Sequence, residues 1–362
     1  LLSRILTIAL LLLVVLAAVP GFGQDLDGAT ESQVVVLDTQ GGTLPLVYLA
    51  GRLSEDELAV LAELAPNVEI LVGLSEEEAL AQAYRIQGAD AHVLSDEFLA
   101  LADHLVWAQS WSAGVAGYLE MEGLKNNDRI VLTNMKGVHG PAIAEHVFAM
   151  LLSMTRDLDA FRKAQENAEW DRDAGTGMTT LSGRTMLVVG MGGIGSQIAR
   201  RAKGFDMRVL ATVRTERPAP PYCDELGTAE DLDRFLPEAD VVAVALPLTE
   251  ETTDLFDAEK FALMKPGSYF INVGRGQVVV TDDLLAALDS GHLAGAGLDV
   301  TEPEPLPADH PLWQSDRVII TPHVSSFADL TRERRWDVFQ ENIRRFGAGE
   351  PLLNVVDKQL GY

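Results

Sequence analysis

The chain of 362 residues carries 28 Lys and Arg against 54 Asp and Glu, a formal net charge of −26, with 47% hydrophobic and 23% charged residues. That length suits two globular domains, and the surplus of carboxylates repels a phosphate backbone, which argues against nucleic acid as a partner. The single cysteine, Cys223, leaves no intramolecular disulfide and no thiolate metal cluster.

The first residues read as an export signal: Arg4 precedes the apolar run Ile5–Val19, and Pro20, Gly21 and Gly23 follow it. The run is shorter than the roughly 20 residues of a bilayer span. A cleaved signal and an exported, periplasmic or secreted chain are expected. An uncleaved anchor with cytoplasmic domains is the alternative, and a buried core helix the bland one. Only Arg4 precedes the apolar run, with no twin-arginine pair there, so export of a folded, cofactor-loaded protein is not indicated.

From Gln33 onward short apolar runs alternate with helical patterns. Val34–Leu37, Glu69–Val72, Ala91–Leu94, Leu105–Ala108 and Ile130–Thr133 read as strands. Between them lies an amphipathic helix, Ser54–Leu64, opened by the capping pattern Ser54-x-x-Glu57. A longer helix begins at Pro141, runs through Thr155 and continues towards Trp170.

Next comes the apolar run Thr185–Val189, the turn Gly190-Met-Gly192-Gly193-Ile194-Gly195, and a helix with Ile198, Ala199 and Ala202 on one face. A Gly-x-Gly-x-x-Gly pattern alone is weak, but strand, tight turn and helix is the geometry a pyrophosphate needs. Glycine lets the backbone come close, and the free N–H groups of the helix start meet the negative charge. Further strands follow at Met207–Val213, Val241–Ala245, Ser268–Val273, Gly297–Val300 and Val318–Thr321, before a helix over Leu330–Arg345. This βαβ rhythm predicts two α/β domains with parallel sheets and a cleft between them.

Three features lie downstream of the glycine turn. Phe270–Gly276 puts Arg275 at the carboxyl end of a strand, where open α/β sheets hold their ligands, and an arginine there offers a fork for a carboxylate. Leu298–Pro305 supplies Asp299, Glu302 and Glu304, and Ile319–Ser326 places His323 just after another strand. Singly, each is more often a surface or structural residue. Their joint position at strand ends is what points to a site.

In that order VVGMGGIG, INVGRG, LDVTEPEP and TPH resemble the D-isomer-specific 2-hydroxyacid dehydrogenase family, as do Gln109–Val115 and Gly137–His146 upstream. The resemblance covers nearly all of the mature chain. It implies a Rossmann nucleotide-binding domain, residues 139–324, inserted into a flavodoxin-like substrate domain made of 25–138 and 325–362. Both are doubly wound parallel sheets. It implies Arg275, Glu304 and His323 as the catalytic set, and Gly190, Gly192, Gly193, Ile194, Gly195, Val273, Gly274, Asp299 and Ser326 as cofactor contacts, with Asp299 at the nicotinamide end. It also implies a small 2-keto or 2-hydroxy acid as substrate and a homodimer, with the helix after Pro141 contributing to it or else buried within one chain. The pairing of Glu304 with the histidine separates the chain from formate dehydrogenases, which pair glutamine there. His139 and His146 lack a third ligand and are poor metal candidates, so no metal is expected.

The chemistry suits those roles. Reducing a 2-keto acid needs a proton on the carbonyl oxygen, and a histidine beside a carboxylate is a natural acid near neutral pH. Arg275 would bind the substrate carboxylate and stabilise the developing alkoxide. The backbone of Ala91–Ser95 is a candidate carboxylate clamp from the other domain, and Trp111 and Tyr118 either shape the cleft or pack. At the end of the second strand, where NAD-binding domains place an acidic residue for the ribose hydroxyls, stand Val213, Arg214 and Thr215. A guanidinium and a hydroxyl there favour a 2′-phosphate, so NADP(H) is expected in preference to NAD(H). The alternative has Arg214 stacking on adenine while Glu216 reaches the ribose. The rival to an enzyme is a dinucleotide-sensing, corepressor-like protein on the same scaffold.

Overall fold

The structure, a computed structural model, describes residues 46–175 and 177–361. The expected export signal and the strand expected at Val34–Leu37 lie outside these residues. The first sheet is formed by β1 (Leu46–Ala50), β2 (Val68–Val72), β3 (Gly88–Asp90), β4 (Trp107–Gln109) and β5 (Val131–Thr133), in the order β2-β1-β3-β4-β5. The second contains β6 (Thr185–Val189), β7 (Arg208–Val213), β8 (Glu225–Thr228), β9 (Val241–Val244), β10 (Ser268–Asn272), β11 (Leu293–Leu298) and β12 (Val318–Ile320), in the order β12-β11-β10-β9-β6-β7-β8. All pairings within both sheets are parallel. Strand order reverses between β1 and β3 in one sheet and between β6 and β9 in the other, the crevices where such sheets take ligands.

The central strands are apolar on both sides because helices cover both faces. Val47 and Leu49 point into one core and Tyr48 and Ala50 into another; Met186 and Val188 likewise oppose Leu187 and Val189. The helix Asp329–Ala348 returns to the first sheet, burying Phe339, Ile343 and Phe346 against Tyr48 and Trp107. Three such side chains contribute about 2–3 kcal/mol each by removal from water. The buried Asn342 fixes the register, its Nδ2 donating to Gln109 Oε1 at 3.0 Å and its Oδ1 accepting from the Leu353 N–H at 2.7 Å.

Several expected elements shift. The run Ala91–Leu94 forms a 3-10 turn over Ala91–Val93, and the strand is the preceding Gly88–Asp90. Gly-Ala-Asp has little intrinsic strand preference, and it is the pairing with β1 and β4 that makes it a strand. β1 and β8 were not expected, whereas Glu55–Leu64 forms with the full Ser54–Glu57 capping box. The long helix spans Gly140–Thr155 and does not continue: Asp157 takes the left-handed conformation at φ 54°, and a separate helix follows over Leu158–Glu166. Within the first of these, Ile143, Ala144, Val147, Phe148, Met150 and Leu151 are buried in the core of the second sheet. Its apolar residues are thus buried inside this chain.

The two connections between the sheets meet at His139 and Arg335. Arg335 donates to His139 Nε2 through Nε at 3.1 Å and Nη2 at 2.8 Å. Only a neutral imidazole can accept these bonds. Burial first, and then the Arg335 charge, lower the His139 pKa from the ordinary 6.5 to about 4. Since the unfolded chain binds this proton more readily, stability is lost as pH falls from about 6.5 through about 4. Between pH 8 and pH 4.5 the loss from this group is expected to be about 2–3 kcal/mol. Urea unfolding of the parent and of His139→Gln, which keeps an acceptor that does not titrate, measures it: equal pH dependence in the two proteins would refute the assignment.

Candidate active site

The carboxyl ends of the strands carry the polar chemistry. In the second sheet these are the glycine turn after β6, Arg214 and Thr215 after β7, Arg275 after β10, Asp299 after β11 and His323 after β12. The glycine turn leads into a helix over Gly193–Gly204 whose N-cap is Gly192. A Cβ on Gly195 would lie 2.2 Å from the Gly190 carbonyl oxygen, so the turn closes this tightly only with glycine there, while the space at Gly192 is open for 4 Å. An accessible helix N-terminus with its backbone exposed is what a pyrophosphate requires, and these residues fit one. Thr212 Oγ1 accepts from the Gly190 N–H at 3.3 Å, and Arg217 Nη2 donates to the Met191 carbonyl at 2.6 Å, so two residues of the second strand and its exit brace the turn.

Arg214 and Thr215 are exposed directly beyond β7. The Arg214 charge adds to the lowering of the Glu251 pKa, whose larger causes are hydrogen bonds from Thr249 and from the backbone. Ile194 and Ser326 are half-buried, and Val273 and Gly274 are buried behind the groove. The Gly274 N–H is held by Asn272 Oδ1 at 3.0 Å, and the Ser326 carbonyl accepts from Thr331 Oγ1 at 3.1 Å.

His323 and Glu304 are brought together, Nδ1 to Oε1 at 2.7 Å, across 19 residues of sequence. Both remain open to solvent, and the bond uses Nδ1, leaving Nε2 out of it. Arg275 is half-buried; its Nη1 donates to the Gly274 carbonyl at 2.7 Å. Its Nη2 reaches across the cleft, since a Cβ on Gly114 of the first domain would stand 2.9 Å from it. The turns bearing these groups are locked side by side. A Cβ on Gly276 would fall 1.9 Å from the Thr301 carbonyl oxygen, which permits only glycine where the Arg275 turn crosses the loop leading to Glu304.

Asp299 sits deeper, 1% exposed, beneath the His323 turn. Its Oδ1 accepts from Thr321 Oγ1 at 2.6 Å and the Val324 N–H at 2.9 Å, and its Oδ2 from the Ser325 N–H at 3.1 Å.

From the first sheet, Asp90 is a participant the sequence did not reveal. Buried at the end of β3, it accepts from Tyr48 Oη at 2.7 Å, Trp111 Nε1 at 2.8 Å and the Gly51 N–H at 2.8 Å. Burial pushes its carboxyl up against these bonds, which lower it. It thereby ties the end of β3 to β1 and its exit and to the turn after β4. Trp111 is bonded to Asp90 and packed on Phe339, and Tyr118 packs against the apolar core. In the expected clamp, Ser95 caps the helix Asp96–Leu101 through Phe98, and His92 is exposed beside Gly51.

Residues 148–325 match the family model for the D-isomer specific 2-hydroxyacid dehydrogenase, NAD binding domain. The glyoxylate/hydroxypyruvate reductase B of Citrobacter koseri is 35% identical over 331 residues, 87% of this chain and 99% of that protein. Among solved structures, a D-isomer specific 2-hydroxyacid dehydrogenase from Xanthobacter autotrophicus in complex with NADPH and MES superposes with a TM-score of 0.73 at 31% identity, covering 87% of this chain and 99% of that one. An NADPH-dependent glyoxylate/hydroxypyruvate reductase from Sinorhizobium meliloti, in complex with NADP and sulfate, gives a TM-score of 0.69 at 29% identity over 87% and 99%.

Proposed function

This chain belongs to the D-isomer specific 2-hydroxyacid dehydrogenase family, and on that premise we propose that it reduces a small 2-keto acid such as glyoxylate, hydroxypyruvate or pyruvate, with His323, Glu304 and Arg275 performing the chemistry and NADP(H) preferred. It is an oxidoreductase using NAD(P). The observation carrying the finer reading is the 2.7 Å contact of His323 Nδ1 with Glu304 Oε1, with the Arg275 turn packed against the loop that leads to Glu304.

When bound, the reduced nicotinamide is the source of the hydride for carbon 2. The turn from Gly190 to Gly195 would hold the pyrophosphate of the cofactor at its helix N-terminus. His323 delivers a proton from Nε2 to the carbonyl oxygen, and Glu304 holds the ring in the required orientation. Arg275 binds the carboxylate in a fork and stabilises the charge that develops on the oxygen. Absorbance at 340 nm with NADPH and a panel of keto acids tests the reading. Turnover supports it, and tight cofactor binding without turnover identifies a dinucleotide-sensing protein instead.

Arg214 and Thr215 support the cofactor preference, because an exposed guanidinium at the end of the second strand pairs with a 2′-phosphate. Arg214→Ala is expected to raise the KM for NADPH by about ten- to a hundredfold, from the loss of one charge-assisted contact, and to leave NADH little changed. A proportionate loss with both cofactors would reject the phosphate role.

A homodimer is part of this proposal. Trp170 is 90% exposed, with Leu158 and Met178 exposed in the same connection between the long helix and β6. These side chains suit burial by a second copy. Light scattering is expected to give twice the chain mass, and Trp170→Glu to shift it towards the monomer; a monomeric parent would end this part of the proposal.

A further inference from the structure

His146 stands on the helix Gly140–Thr155, far in sequence from the catalytic turn, yet its Nε2 lies 2.9 Å from Thr321 Oγ1 and 3.8 Å from Asp299 Oδ1. The Thr321 hydroxyl has one proton, and it points to Asp299 at 2.6 Å. His146 Nε2 must therefore be the donor to Thr321, which fixes its tautomer with the proton on Nε2. Asp299 in turn accepts from the Val324 and Ser325 N–H groups, while its own carbonyl accepts from the His323 N–H at 2.8 Å. Between these anchors His323 is held at φ 55°, a left-handed conformation that a residue with a Cβ adopts at a cost of about 1 kcal/mol or more. Asp299 thus brackets this residue, its carbonyl bonded to the His323 N–H and its carboxylate to the N–H groups of the two residues that follow.

We propose that His146, acting through Thr321 and Asp299, is a positioning residue that sets the left-handed turn of His323 and so aims its imidazole at the substrate. The chain of bonds links the helix at the junction of the two domains to the proton donor. His146 itself touches no reacting atom. The inference rests on His323 being the proton donor, and its test separates the two claims.

His146→Leu removes the donor, whereas His146→Gln restores an N–H close to the position of Nε2. Thr321→Val and Thr321→Ser form the matching pair on the other side of the bond. The readout independent of turnover is the ring nitrogen spectrum of 15N-histidine-labelled, cofactor-free protein, with the His323 signal assigned from His323→Gln. The His323 signal is expected to move to that of a solvent-exposed imidazole in His146→Leu and Thr321→Val, and to stay in His146→Gln and Thr321→Ser. In steady state His146→Leu is expected to lower kcat by about ten- to a hundredfold with KM for both substrates nearly unchanged. Thermal midpoints should remain close to the parent, and His146→Gln should recover most of kcat. An unmoved His323 signal in His146→Leu, or equal damage in His146→Leu and His146→Gln, overturns the inference. Absence of turnover by the parent overturns the proposed reaction and leaves the spectral result to decide the positioning role.

Discussion

Replacing His323 with glutamine is expected to lower kcat and kcat/KM for keto-acid reduction together by about a thousandfold, the range a positioned general acid supplies. Glutamine can still donate a hydrogen bond but cannot release a proton, so binding of both substrates should change little. The companion Glu304→Gln leaves the imidazole without its carboxylate at 2.7 Å and should cost less than loss of the ring itself. Steady-state assays, together with NADPH titration by fluorescence, separate the two effects. Retention of more than about a tenth of the parent kcat in His323→Gln would show that the proton comes from elsewhere.

Arg275→Gln should be nearly as damaging, and in a different parameter. Each charge-assisted bond between a guanidinium and a carboxylate contributes about 1.5–3 kcal/mol, so loss of the fork should reduce kcat/KM by about a thousandfold, much of it as a raised KM for the keto acid. Arg275→Lys keeps the charge without the planar fork and should recover only part of the loss. The substitution carries an internal control. Arg275 also contacts the Gly274 carbonyl and reaches Gly114 across the cleft, so a purely structural role would lower the thermal midpoint without selectively raising the KM. A lowered midpoint with an unaltered keto-acid KM would remove Arg275 from the site.

Both predictions depend on neighbours of very different visibility in the sequence. The turn from Gly190 to Gly195 is legible because its demands are local: a strand, a tight closure and a helix start within a dozen residues. The same holds for Arg275 and His323, each one turn beyond an apolar run. The capping box at Ser54 and Glu57 is legible for the same reason, spanning three residues. By contrast β3 has almost no strand character of its own and exists because β1 and β4 bracket it. Asp90 looks like an ordinary surface acid, until folding places Tyr48 and Trp111 against it. His146 and His139 read as isolated histidines, since their partners lie 175 and 196 residues away.

The sequence by itself determined the two parallel α/β sheets, the nucleotide turn, and the residue types that stand at the strand ends, because periodicity, glycine placement and strand termination are short-range properties of a chain. Only the tertiary structure decided how those ends are held: the burial of Asp299 beneath the His323 turn, the bond between His146 and Thr321, and the bond from Arg335 to a neutral His139. These depend on which strands become neighbours and on removing polar groups from water. A buried donor or acceptor must then find a partner wherever the fold brings one, at whatever distance along the chain.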